Sequence, residues 1–192
     1  MAPEDSDLAL VRALQAGDDN ALRTLMDRHG KGLFRFIFRH IPNEADAFDL
    51  TQEAFVRVYF NIRKFRPAAK FVTWLYRIAL NLCRDRSRSQ AYRYSQTISA
   101  EVRPKKNEGQ TQLVADQRDL VRQIEDREKL RALEKAISEL PPSLKSPLIL
   151  TALEGRSHAE TGEVLGISPK AVEMKVYRAR KFLLGKMQQM GF

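Results

Sequence analysis

Two stretches of the chain gather residue types suited to nucleic-acid chemistry. In KFVTWLYRIALNLCRDRSRS, residues 70–89, aromatic and basic side chains alternate before the segment ends in a run of arginines. Opening a duplex costs base unstacking, so a protein that does it must offer extruded bases a stacking surface and hydrogen-bond donors, with cations nearby for the backbone. In SPKAVEMKVYRARK, residues 168–181, Lys170, Glu173, Met174, Lys175, Arg178, Arg180 and Lys181 lie opposite Val172, Val176 and Ala179 on a helical repeat. Such long side chains reach phosphates and base edges.

Motifs for covalent or metal chemistry are missing. There is no phosphate-cradling GxxxxGKS or GxxxxGKT, no HExxH and no GxSxG. His29, His40 and His158 are too scattered to suggest a metal site, and Cys83 lies on or beside an apolar stripe, where packing is its expected role. Neither an enzyme nor a cofactor is expected.

The elements that must position these side chains read as helices throughout. The chain has 192 residues, room for one ordinary domain or two small ones. Lys and Arg outnumber Asp and Glu by 33 to 24, a formal charge of +9 that suits a polyanionic partner. The start MAPEDSDLAL is acidic and unlike a secretory signal, and a single cysteine excludes an internal disulfide, so a reducing cytoplasm is expected. Apolar runs fall far short of the roughly 20 residues that span a bilayer.

Leu8, Val11 and Leu14 predict a first helix that stops at Gly17; Leu22, Leu25, Met26, Leu33, Phe36 and Ile37 predict a second, ended by Pro42. Ala45, Phe48, Ala54, Phe55, Val58 and Tyr59 mark the apolar side of a third, opposite Asp46, Asp49, Gln52 and Glu53. Phe71, Trp74, Leu75, Ile78, Ala79 and Leu82 form the stripe of a fourth. Residues 1–90 therefore read as one helical domain. Residues 91–126, with SAEVRPKKNEGQTQ, lack a core face and read as a flexible linker. Leu130, Leu133, Ile137 and Leu140 open a second helical domain over 127–192, interrupted at LPPS. Pro147 predicts either a helix start capped by Ser146 or a kink.

Helix boundaries are clearest near the C-terminus. Ser157 and Glu160 form a capping box, Gly166 supplies a left-handed stop, Ser168 caps the next helix and Pro169 takes its first position. Helix, short turn and helix is the helix-turn-helix layout, whose second helix enters the major groove.

Taken together, EADAFDLTQEAFVRVYFNIRKF, KFVTWLYRIALNLCRDRSRS and LPPSLKSPLILTALEGRSHAETGEVLGIS resemble the sigma-70 family of RNA polymerase initiation factors, in its small extracytoplasmic-function group. The likeness covers about residues 8–90 and 126–186. It implies an all-α specificity subunit whose first domain binds the polymerase clamp and the minus-10 element, and whose second binds the minus-35 element and the polymerase flap. By position, Asp46, Asp49, Gln52 and Glu53 would meet the clamp coiled coil. Arg63, Lys64 and Lys70 would hold minus-10 phosphates while Trp74, Tyr76, Arg77, Asn81, Arg84 and Arg86 approach the melted strand. Trp74 has two open readings, core packing and base stacking, and a tryptophan on an apolar stripe more often packs. Ser168, Lys170, Ala171, Glu173, Met174, Lys175, Arg178 and Arg180 would form the minus-35 surface.

The chain departs from the family pattern at several positions. Leu80 stands where the family mostly has arginine, Val72 where it has serine or threonine, and His158 where tyrosine is common. Thr161 and Gly162 replace an apolar residue and an alanine. Glu173 replaces a basic residue; a carboxylate repels phosphate and can accept from the cytosine amino group, so it is expected to shape minus-35 preference. An anti-sigma protein is a further partner implied by the resemblance, and it could hold the factor at the membrane. The competing reading is a helix-turn-helix regulator that binds DNA without polymerase.

Overall fold

The computed structural model describes residues 6–67, 70–97 and 117–192, and all regular structure among them is helical. The elements are α1 (Ser6–Gln15), α2 (Asp19–His40), α3 (Glu44–Asn61), a 3₁₀ turn (Ile62–Lys64), α4 (Phe71–Thr97), α5 (Gln117–Ser138), α6 (Pro142–Leu148), a π-turn (Ile149–Leu153), α7 (His158–Leu165) and α8 (Pro169–Gln189).

In the first domain α1 to α4 pack around Leu25, Leu33, Phe36, Ile37, Phe55, Val58, Phe71 and Leu75. Fully burying each such side chain contributes about 1.5–3 kcal/mol against leaving it exposed. Polar ties fix the helix ends. Buried Asp7 accepts from Arg28 at 2.5 Å and lies 2.8 Å from His29 Nε2, joining α1 to α2. Gln15 Nε2 donates to the carbonyls of Ile62 and Phe65, which fastens α1 to the turn after α3. Asp18 and Asn43 cap α2 and α3 through side-chain oxygens, as residues of these types do when they precede a helix.

The inner face of α3 differs from the one expected. Ala47, Thr51, Ala54, Phe55 and Val58 are buried, whereas Ala45, Phe48 and Tyr59 are exposed. Thr51 can enter the core because its hydroxyl donates to the Ala47 carbonyl at 2.7 Å, leaving no unmet donor. Helix α4 runs on to Thr97 and α5 begins at Gln117, so helix occupies both ends of the segment expected to be a linker. Residues 98–116 of that segment lie outside the described residues.

The second domain centres on Leu140, Leu148, Val172, Val176 and Ala179. Of the stripe expected to open this domain, Leu140 is buried just beyond the end of α5, while on α5 Leu133 and Ile137 are half-buried and Leu130 is exposed. Ser146 does not cap a helix: it lies inside α6, buried, with its hydroxyl 3.0 Å from His40 Nε2. Pro147 also lies inside α6 and brings no N–H to its ladder. The chain winds directly into the π-turn, where the Glu154 N–H reaches the Ile149 carbonyl at 3.0 Å.

The two domains touch. Ile149, Leu150 and Val164 of the second belong to the same apolar cluster as the first domain's core, and α7 packs on α4.

Candidate nucleic-acid interface

Local hydrogen bonding builds the helix-turn-helix as the sequence predicts. Ser157 Oγ accepts from the Glu160 N–H at 3.1 Å, while the Glu160 carboxylate accepts from the Ser157 N–H at 3.1 Å. Gly166 ends α7 at φ +69°, and Ser168 Oγ accepts from the Ala171 N–H at 3.2 Å. Gly162 makes the tight approach possible: a Cβ there would stand 2.6 Å from the Ile167 carbonyl oxygen. Thr161 beside it is fully buried with its hydroxyl unpartnered, a polar group where the family's apolar residue would pack cleanly.

Helix α8 turns Val172, Val176 and Ala179 inward. Lys170, Glu173, Met174, Arg178, Arg180 and Lys181 are exposed, Ala171 and Lys175 are half-buried, and Ser168 is exposed at the cap. Lys170 Nζ lies 2.9 Å from Glu173, and this hydrogen bond and charge hold the Glu173 carboxyl below its usual range. Tyr177, absent from the sequence-predicted set, is exposed at the Lys170, Met174, Lys181 spacing. That spacing was the signal that could have found it.

The second surface starts at the 3₁₀ turn, where Arg63 and Lys64 are exposed, and follows α4, where Asn81 and Arg84 are exposed. Trp74 is half-buried, its ring centroid 5.2 Å from Phe65 and 6.2 Å from Phe71. Leu80, in the family's arginine position, is buried, and so is Cys83, whose thiol burial pushes up to about 12. Arg86 ion-pairs with Asp46 across α3 and α4, so one residue expected at DNA and one expected at polymerase meet each other.

Three residues expected at the minus-10 strand meet the second domain instead. Lys70 Nζ lies 2.8 Å from the Glu160 carboxylate, and the Arg77 guanidinium donates to the Glu163 carbonyl. Tyr76 is buried; its hydroxyl donates to Glu154 Oε2 at 3.2 Å and the Arg156 guanidinium lies 4.0 Å above its ring. Burial, then the Glu154 charge, raises the Tyr76 pKa. The Glu154 side chain, only 8% exposed, is also ion-paired with Arg39 of α2. Lys70 and then the Ser157 N–H hold Glu160 down at about 2.

On α3, Asp49 and Gln52 are exposed, and Glu53 is half-buried with its carboxylate 2.8 Å from Arg57. The same helix presents an apolar stripe that sequence reasoning assigned to the core or passed over: Phe48 at 55% exposure, Val56, Tyr59 and Phe60 at 75%. Gln52 sits between two hollows of about 340 and 480 Å³, formed with Met26 and Phe55. Among the described residues no three His, Cys, Asp or Glu side chains converge as metal ligands.

Comparison with known proteins agrees with this geometry. The sigma-70 region 2 model matches residues 25–93 and the sigma-70 region 4 model residues 130–183. The ECF RNA polymerase sigma factor SigW of Bacillus subtilis is 31% identical over 94% of this chain and 96% of its own length. The ECF RNA polymerase sigma-E factor of Haemophilus influenzae is 30% identical over 98% of both chains. CnrH, solved in complex with the cytosolic domain of CnrY, superposes with a TM-score of 0.69 at 26% identity, covering 95% of this chain and 97% of that one. RpoE of Bartonella quintana, solved with the anti-sigma factor NepR, shares the fold with a TM-score of 0.66 at 16% identity, over 86% of this chain and 96% of its own. None of these relatives is a stand-alone DNA-binding regulator. The chain belongs to the sigma-70 family of transcription initiation factors, in its extracytoplasmic-function group.

Proposed function

We propose that α4 and α8 are the promoter-reading helices of this sigma factor and that the exposed side of α3 is its main polymerase contact. The factor binds core RNA polymerase, directs it to promoters through their minus-35 and minus-10 elements, and promotes melting; it contributes no catalytic group of its own. The observation that carries this reading is the outer face of α8, where a run of long basic side chains flanks Glu173 on a helix seated by a built helix-turn-helix.

Each surface has a chemical fit to its target. Arg178, Arg180 and Lys175 suit phosphates, and Glu173, oriented by Lys170, can accept from a cytosine amino group. Arg63, Lys64 and Arg84 flank the segment of α4 that would meet the opened strand, with Asn81 supplying amide hydrogen bonds. On α3, Asp49 and Gln52 lie among Phe48, Val56 and Phe60, an apolar patch with a polar rim, which suits a protein partner. No helix among the described residues is long and apolar enough to cross a membrane. Its place of work is the bacterial cytoplasm, and an anti-sigma protein is its natural restraint, able to hold it at the membrane.

Transcription in vitro with and without core polymerase tests the reading. Specific transcripts appear only when both protein and core enzyme are present; tight specific promoter binding by the protein alone, with no core-dependent initiation, overturns it.

A further inference from the structure

We propose that the groove between α2 and α5 binds an anionic amphiphile, an acyl chain that ends in a carboxylate or phosphate head. None of the promoter-reading or polymerase-facing residues assigned above lines it, so the site is additional to those surfaces. Its walls are apolar on three sides. Phe34 and Phe38, four residues apart on α2, stack with ring centroids 6.0 Å apart and give one wall a flat face. Leu130, Leu133 and Ile137 recur at helical spacing on α5, and Leu153 of the π-turn adds a third side. Phe38, Leu130 and Leu153 stay exposed, so the chain leaves this apolar surface uncovered.

Size favours an acyl chain over a helix as the occupant. The hollow holds about 510 Å³, within the range of about 300–1,000 Å³ usual for small-molecule sites. The rise from Leu130 to Ile137 is about 10 Å, and a helix of that length and about 10 Å across fills roughly 800 Å³. An acyl chain is far thinner and can lie lengthwise between the two helices. Charge then selects the head. Arg35, Arg39 and Lys145 line the groove together with a single carboxylate, the exposed Glu134. Arg39 is engaged by Glu154, whereas Arg35 and half-buried Lys145 are in no ion pair among the described residues. The titratable groups on which Lys145 acts, His40 and Cys83, are uncharged near neutral pH, since burial brings the first down to about 4 and pushes the second up to about 12. Burial also lowers the Lys145 pKa, as it does for an ammonium that lacks a countercharge. An anionic head beside Lys145 supplies that countercharge while the chain covers Phe38, Leu130 and Leu153.

The test uses the full-length protein and isothermal titration calorimetry with decanoate, kept below its micelle-forming concentration, and with decanol as the uncharged probe. The parent should bind decanoate saturably and more tightly than decanol. Lys145→Met keeps an unbranched apolar stem and removes the charge; it should weaken decanoate about tenfold or more and leave decanol unchanged. Leu130→Glu, at an exposed position, places a carboxylate in the wall and should weaken both probes. Thermal melting reports whether each variant folds. Flotation with vesicles of phosphatidylcholine and phosphatidylglycerol separates the two sources of such a head: decanoate binding assigns a free fatty acid, and vesicle capture that both variants abolish, without decanoate binding, assigns a membrane phospholipid. Absence of both, binding indifferent to the two variants, or equal weakening of decanoate and decanol by Lys145→Met overturns the site. A dimer in sedimentation that Leu130→Glu dissociates also overturns it, by giving the groove to a second copy of the chain.

Discussion

The outer faces of α4 and α8 are two basic helix surfaces in one chain, and they differ in what covers them. On α8 the ion pair among the proposed promoter-reading residues is local, Lys170 with Glu173 three residues on, while Met174, Arg178 and Arg180 are exposed and Lys175 is half-buried. Lys70, just before α4, and Tyr76 and Arg77 on it are engaged by groups 78 to 90 residues away in sequence. A basic helix is therefore a DNA-binding surface only to the extent that its cations are accessible, and access here is set by the other domain.

The sharpest break in that comparison is expected from the arginines of α4. Arg77→Ala with Arg84→Ala removes two charge-assisted donors, each worth about 1.5–3 kcal/mol to a strand it contacts, so promoter opening should fall at least about 100-fold. Permanganate reactivity of the melted region measures this, and native gel assembly with core polymerase should remain unchanged. Loss of both would assign those arginines to the fold or to the clamp contact.

A second break comes from acid. Burial, outweighing the Phe36 carbonyl that holds its Nδ1, brings His40 down from 6.5 to about 4, and the charges of Lys145 and Arg84 push the same way. The folded pKa lies below the unfolded one, so the unfolded chain takes up the proton first as pH falls. Stability is full above about pH 6.5 and drains until about pH 4, a loss of about 3 kcal/mol. Urea unfolding across that range should show the slope, and His40→Gln should flatten it.

On the open face the expected change is in specificity. Glu173→Ala should alter base preference at one minus-35 position by about tenfold, since a single well-placed contact discriminates by about 1–3 kcal/mol. Selection from randomised minus-35 sequences reads it out, and an unchanged preference removes Glu173 from the reader. The smallest effect belongs between the two faces: Thr161→Val replaces the unpartnered buried hydroxyl with a methyl and should stabilise the protein by about 1 kcal/mol by denaturant titration.

The features legible in the sequence were those decided by nearby residues. Ser157 with Glu160, Gly166, Ser168 and Pro169 each act over one turn of chain, and each sits where its chemistry placed it. On α3 the pattern misled because an apolar side chain fits both a core and a docking surface: Phe48 and Tyr59 are exposed, while Thr51 is buried through a bond to its own helix. The pairs Arg39–Glu154, Lys70–Glu160 and Arg86–Asp46 were invisible because they depend on packing between distant segments. Residue type told that Lys70 and Arg77 could hold phosphate, but their present partners follow from how the domains meet.

The distance between the domains tests the central contrast most directly. With short-range spin labels on Arg66→Cys and His158→Cys, both exposed positions outside the proposed promoter-reading set, electron resonance can compare the unbound protein with the polymerase-bound one. The account predicts a single short distance in the unbound protein that is replaced by a longer one on binding core polymerase. An unbound protein already showing the long distance would contradict it.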